Sequence, residues 1–419
     1  MIIFFLIILL ADLTSFIAFF LFGFEFAIFI KILTLTLLVI VSFFTLSNLK
    51  FENFELYYFI LISILTIYAF MSKNLEILIL FQSSFLLLYP LFIVRIAKKN
   101  SNLIKIEKFE NFILYFSVFN FVFMLFEMSN TELLINLGIS DFFLYIKGVS
   151  TGYNVNTSLP FNWHTNFAAS TRRGAGLLMA PLASGMLSAF GCYVAFYKYF
   201  ETSLNRYILF FTLIGFGLIL SDSRGPMIFL IISIFIYYLK NKSNTNLKVS
   251  GMKNFLILFL TISLIYIIGP TLMSAILLQD DRSPSHFLAF IGNLNNIFNI
   301  PIFGYGVGTE GAIVAKTHTL LKSNYYGEGS IFTIMYQCGI ITGIVFLTWF
   351  YSLYKNSREL IKKSVITDKI TPILLSSILI MVSSEHIFTL SGFMYIWYFI
   401  GLHQSINLKN IKNENTSSI

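Results

Sequence analysis

Long apolar stretches recur along this chain, separated by short polar breaks. A helix needs about 20 such residues to cross roughly 30 Å of hydrocarbon. Segments that reach or approach that length run near 1–22, 26–47, 55–72, 75–95, 111–128 and 174–197. Six more follow near 207–221, 226–240, 254–275, 331–354, 371–389 and 391–407. The pattern predicts an all-α, polytopic integral membrane protein with about 12 transmembrane helices. The pair at 207–240 is the tightest, split only by Leu220, Ser221, Asp222, Ser223, Arg224, Gly225 and Pro226. No internal repeat supports the inverted symmetry of many transporters.

The chain then divides into N-terminal spans over 1–128, a long inter-span segment over 129–173 and central spans over 174–275. A second long segment covers 276–330, followed by C-terminal spans over 331–407 and a tail over 408–419. Composition agrees with membrane residence. The 419 residues are 57% hydrophobic and 11% charged, where soluble domains carry about a quarter charged residues. Forty-nine Phe and 22 Tyr suit helix–helix gaps and membrane interfaces. Met1 to Phe22 is apolar apart from Asp12, Thr14 and Ser15; without a basic n-region or a small-residue cleavage site, it reads as an uncleaved first span. Cys192 and Cys338 fall within spans, which argues against a disulfide framework.

The net charge of +8 is spread among inter-span loops rather than gathered in a patch, so it orients the chain and does not indicate nucleic acid. Arg95, Lys98, Lys99, Lys105 and Lys108 share one loop; Lys240, Lys242, Lys248 and Lys253 share another. Lys355, Arg358, Lys362, Lys363 and Lys369 form a third group. Lys198, Arg206, Lys409 and Lys412 fall on the same side if spans alternate. The positive-inside rule makes that side, and both termini, cytoplasmic. Both long segments then lie outside, where their aromatic content predicts ordered lids rather than linkers.

Three arginines depart from this asymmetry. Arg172, Arg173 and Arg224 each stand at the outer mouth of an apolar segment. A guanidinium presents a planar fork of donors that fits phosphate oxygens in pairs. Arg224 reads either as a snorkelling headgroup anchor or as an anion ligand beside helix N-terminal amides. Arg172 and Arg173 read either as interfacial anchors or as the second half of a diphosphate clamp. Two arginine sites at one depth favour the clamp, with a lipid pyrophosphate as the anion.

Other candidate residues lie on the same face. Tyr305 and Gly306 sit in the stretch 301–308, whose alternate glycines permit tight bends and close approach of a ligand, with Glu310 just beyond. His318 and Glu328 are candidates for proton handling, or else a solvated loop histidine and a helix-capping glutamate. Glu385 and His386 form a pair near the end of a span, either functional or a mutual brace. His164, after Trp163, is a candidate sugar contact. No metal-ligand spacing of His, Cys, Asp and Glu is present, and no Asp-x-Asp pattern of soluble sugar-nucleotide transferases.

Together these features resemble the O-antigen polymerase and ligase superfamily, including Wzy-type polysaccharide polymerases. The resemblance rests on the span count and late external loop, and on Ser223, Arg224 and Gly225 between adjacent spans. It rests also on the Pro-x-Phe-Gly-x-Gly-x-Gly stretch at 301–308, and on the turn at 324–330 leading into Gln337, Cys338, Gly339 and Ile340. These matches lie within about 170–345, under half of the chain. The resemblance implies a GT-C-like membrane enzyme of the bacterial inner membrane that uses no metal, nucleotide or other cofactor. Its substrate would be an undecaprenyl-diphosphate-linked oligosaccharide within membrane lipid, and a flippase and a chain-length regulator would be its partners. A polymerase moves the growing glycan from its lipid diphosphate onto a fresh lipid-linked repeat unit; a ligase moves it to lipid A–core. Ligases characteristically carry a His-Asn pair in the late loop, whereas His318 here precedes Thr319, which favours the polymerase. The expected roles are Arg172, Arg173 and Arg224 as diphosphate ligands and Glu328 or His318 as base. A lipid-linked oligosaccharide flippase is the alternative from another class; it would be expected to bury cations in mid-span and to have short loops on both faces.

Overall fold

The computed structural model describes residues 2–46, 53–73, 77–101, 105–147, 163, 172–241, 292–308, 329–363, 368–383 and 390–417. The described chain is helical, with no strand among these residues. In chain order the helices are α1 (Ile2–Leu9), α2 (Ala11–Phe22), α3 (Phe24–Leu46), α4 (Asn53–Lys73) and α5 (Ile77–Asn100). Next come α6 (Ile106–Ser129), two short helices α7 (Thr131–Asn136) and α8 (Ile139–Lys147), then α9 (Pro181–Thr202), α10 (Arg206–Leu220) and α11 (Arg224–Asn241). The last three are α12 (Ser330–Lys363), α13 (Ile370–Ser383) and α14 (Leu390–Ser417). By length and composition, Asn53–Met71, Ile106–Ser129 and Ser330–Arg358 are apolar enough to cross a membrane. The architecture is that expected of a helical membrane protein. The span expected at 254–275 lies outside the described residues.

Helix α9 is the centre of the bundle, packed against α6, α10, α11 and α14. Nearly every residue from Pro181 to Lys198 is buried, and a helix that is apolar all round belongs inside a bundle. Small residues let its neighbours approach closely. A Cβ on Gly185 would lie 2.7 Å from Ser221 Oγ, and one on Gly191 would lie 2.5 Å from Ser117 Oγ.

Helices extend past the expected spans, α12 to Lys363 and α14 to Ser417, and α7 and α8 stand within the expected inter-span segment 129–173; two apolar runs are themselves interrupted. The apolar run expected as one span from 174 becomes a helix only at Pro181; residues 173–180 form a non-helical segment, buried over 174–179. Positive φ at Gly176 (63°) and Met179 (50°) breaks the helical path, and Pro181 starts the helix where its missing N–H costs nothing. The first run is likewise divided, with α1 and α2 separated at Leu10.

At one end of the bundle the charges pair. Glu110 accepts from Lys198 at 2.8 Å, from Lys369 at 3.4 Å and from the Tyr197 hydroxyl at 2.6 Å. Lys369 also reaches Glu201 at 2.9 Å, and Lys240 reaches Asp368 at 3.0 Å. Arg95 and Lys98 both pair with Glu55. Lys198, Lys240 and Lys369, all assigned to one side by charge, thus share one end with the start of α6. Cys192 and Cys338 are free and buried.

The burial of Glu110 sets a prediction. Glu110→Gln removes the charge opposite two lysines while keeping an acceptor for Tyr197, and is expected to lower stability by about 2 kcal/mol. Lys240→Ala, at a partly exposed pair, is expected to cost no more than about 1 kcal/mol. Thermal unfolding of the two variants in detergent measures the difference.

Candidate functional site

The opposite end of the bundle gathers the end of α6, the start of α9, the α10–α11 turn and the 172–180 segment. The turn between α10 and α11 is made by Ser221, Asp222 and Ser223, with Asp222 at φ 43°. Leu220 O accepts from Gly174 N at 2.8 Å. The Arg173 guanidinium grips the turn itself: Nε donates to Ser221 O at 3.1 Å and Nη2 to Ser223 Oγ at 2.7 Å. Ser223 in turn donates to Ser221 O at 3.0 Å. Arg224 follows directly as the first residue of α11, half-buried. The two arginine-bearing stretches, 48 to 52 residues apart in sequence, therefore form one unit.

Gly185 explains how they close. Its missing side chain leaves room for Ser221, for Ser223 Cβ at 3.0 Å and for Pro226 at 3.2 Å from the notional Cβ. A side chain there would push the Ser-Arg-Gly turn off α9.

Arg172 points the other way. Its Nη1 donates to Glu127 O at 2.9 Å and also to Thr131 Oγ1, linking it to the end of α6. Its guanidinium carbon stands 5.6 Å from the centre of the Trp163 ring. Trp163 is buried with Phe143, Phe142 and Ile139 of α8, and its carbonyl accepts from Arg173 N at 2.7 Å. Nε and Nη2 of Arg172 are buried with no hydrogen-bond partner among the described residues, as is Trp163 Nε1. Burial pushes the Arg172 guanidinium below its ordinary pKa, and the Glu127 carboxylate pulls it back up.

Beneath the arginines lies a polar floor that sequence reasoning missed. Glu127, at 1% exposure, accepts from Ala175 N at 2.5 Å and Gly176 N at 3.0 Å. Asn120, about two turns earlier on the same face of α6, accepts from Leu177 N at 2.8 Å and from Ser184 Oγ at 3.3 Å. These side chains satisfy amides that a non-helical segment would otherwise leave unpaired in an apolar interior. A carboxyl near the end of an apolar span and an amide within it were the available signals.

The glycine stretch is held on α12. That helix breaks at Gly339 (φ 86°, ψ 165°), which frees carbonyls of the preceding turn. Tyr305 N donates to Tyr336 O at 2.7 Å, Gly306 N to Gln337 O at 3.0 Å and Gly308 N to Gln337 Oε1 at 3.1 Å. Gly304 (φ 73°) has no room for a Cβ, which would stand 2.5 Å from Gly339 N. The close approach these glycines permit is to the protein's own helix. Tyr305 also stacks on Tyr336 at 6.0 Å. His164, Glu310, His318, Glu328, Glu385 and His386 lie outside the described residues.

The arrangement places cations and unpaired donors at one end of a helical bundle, with the buried carboxylate of Glu127 beneath Arg172. Such a group of fixed donors is suited to oxyanions. Comparison with family models, with curated proteins and with solved structures returns no match.

Proposed function

We propose that the protein is a metal-independent glycosyltransferase that polymerises a lipid-linked surface glycan, with the diphosphate of its polyprenyl donor held by Arg172, Arg173 and Arg224. One observation carries the reading. The Arg172–Gly174 stretch and the Ser223–Gly225 turn, singled out separately from sequence, are hydrogen-bonded to one another. Within that unit, Arg173 holds the turn in place, while Arg172 retains unsatisfied donors and Arg224 heads α11.

The chemistry asks for little else. The acceptor hydroxyl attacks the anomeric carbon of the donor sugar and passes its proton to a base, for which Glu328 and His318 remain the candidates. The bond from that carbon to the phosphate oxygen breaks, and the lipid diphosphate leaves with the electron pair. Cations fixed before the reaction stabilise that developing charge without reorganising. About 12 spans, cytoplasmic termini and a bacterial inner-membrane location belong to the same proposal.

The test is gel analysis of surface glycan after gene deletion and complementation. Deletion is expected to remove long chains and retain a single core-attached repeat; loss of all core-attached glycan points to a ligase or a flippase. Arg224→Ala is expected to abolish long chains, a loss of at least about 100-fold in polymer, with normal membrane insertion. Wild-type chain length in that variant removes Arg224 from the mechanism.

A further inference from the structure

The stretch 292–308 belongs, by sequence, to a segment expected outside the membrane. The contacts of its 302–308 end place that end elsewhere. Tyr305, Gly306 and Gly308 donate to Tyr336 and Gln337, beside the break at Gly339. Gly339 lies about nine residues into Ser330–Arg358, a segment apolar and long enough to cross a membrane. At 1.5 Å per residue that is about 14 Å from the helix start. Backbone bonded there shares the depth of the span, not the depth of its end.

Non-helical backbone is tolerated at hydrocarbon depth only where protein satisfies its polar groups. Here the loop and the helix break satisfy one another, since the carbonyls freed by Gly339 are the acceptors the loop amides need. The side chains divide accordingly. Ile300 and Val307 are buried, whereas Phe298 is 92% exposed, Ile302 62% and Phe303 60%. The exposed residues adjoin a second apolar surface. Ile341, Ile344, Leu347 and Tyr351 of α12 recur every three or four residues and are all exposed, so they form one outward stripe. Ile302 O and the Cα of Phe303 lie against Gly339, two residues above the start of that stripe. Loop and helix thus each expose apolar side chains close to the break, and the helical stripe belongs to a candidate span.

We propose that residues 292–308 form a re-entrant element seated at acyl-chain depth, in the leaflet nearer the arginine cluster, with Phe298, Ile302 and Phe303 in contact with the acyl chains of bilayer lipid. The inference rests on α12 crossing the bilayer and is independent of glycan transfer.

Nitroxide labelling of the full chain in lipid nanodiscs tests it, in a background with Cys192→Ala and Cys338→Ala. Single cysteines replace Phe298, Ile302 and Phe303, with Ile344→Cys as the lipid-facing reference and Leu204→Cys as the aqueous one. Collision with oxygen, which partitions into lipid, is compared with collision with a water-soluble nickel chelate. The three loop labels are expected to match Ile344, with oxygen favoured over the chelate at least tenfold more than at Leu204. Loop labels that match Leu204, or that are shielded from both reagents, overturn the proposal while the Ile344 label still reports lipid. An aqueous Ile344 label overturns the span and the proposal together. Phe303→Trp, a milder change, provides a second reading. Lipid brominated on its chains is expected to quench the added fluorescence and iodide to leave it; the reverse result also overturns the proposal.

Discussion

Gly339→Ala is expected to undo the union of the glycine loop with α12 and to lower stability by roughly 4 kcal/mol or more. Two costs combine. The backbone at φ 86° and ψ 165° lies in a region that is essentially closed to residues with a Cβ, and strain there costs about 1–3 kcal/mol. The new methyl also meets the Ile302 carbonyl and the Cα of Phe303, which are backbone atoms that no rotamer change moves away. Either the helix closes into a continuous turn and recovers its carbonyls, or the loop withdraws. In both cases the bonds from Tyr305 and Gly306 are lost, at about 1 kcal/mol each. Limited proteolysis within 292–308, together with thermal unfolding in detergent, measures the effect. A protease-resistant loop and an unchanged unfolding midpoint would refute the account.

Glu127→Ala is expected to destabilise the protein by about 2–5 kcal/mol, since each buried amide left without its acceptor costs about 1–3 kcal/mol. The carboxylate accepts from the amides of Ala175 and Gly176, so its loss orphans two buried donors at once. Glu127→Gln keeps the shape and one acceptor oxygen, and should lose less. Because the same carboxylate holds the segment that carries Arg172 and Arg173, the proposed function further predicts shorter polymer in the glutamine variant while it remains folded. Thermal unfolding and glycan gels on the same two variants separate these effects. Equal loss of stability in both would mean that charge, not the hydrogen-bonded amides, dominates.

The helices were legible because burial in a bilayer imposes a simple rule: about 20 apolar residues in a row. The described helices fall within or around the apolar runs, and the lysines assigned to one side meet at one end of the bundle. The arginines were legible for the converse reason, since a guanidinium at an apolar mouth departs from the charge pattern. Less visible was the use each one has. Arg173 clamps the Ser221–Ser223 turn and Arg172 bridges to α6. A similar limit applies to the glycines at 304, 306 and 308. Their freedom of φ was apparent, but the nearby surface that required it is a break in a helix that begins over 20 residues later.

Composition and periodicity alone thus point to an all-helical chain of membrane character and single out the arginines at the mouths of its apolar runs. Both are local properties, since apolar length and residue type are written in contiguous stretches. Contacts between distant stretches decide the rest: the non-helical path of 173–180, the polar floor of Asn120 and Glu127, and the loop joined to α12. At 173–180 and at Gly339 the backbone leaves the helix where helix-forming pattern continues, and groups from another part of the chain satisfy the amides or carbonyls so released. That preference is set by tertiary packing in an interior with no water to take the place of the missing partner.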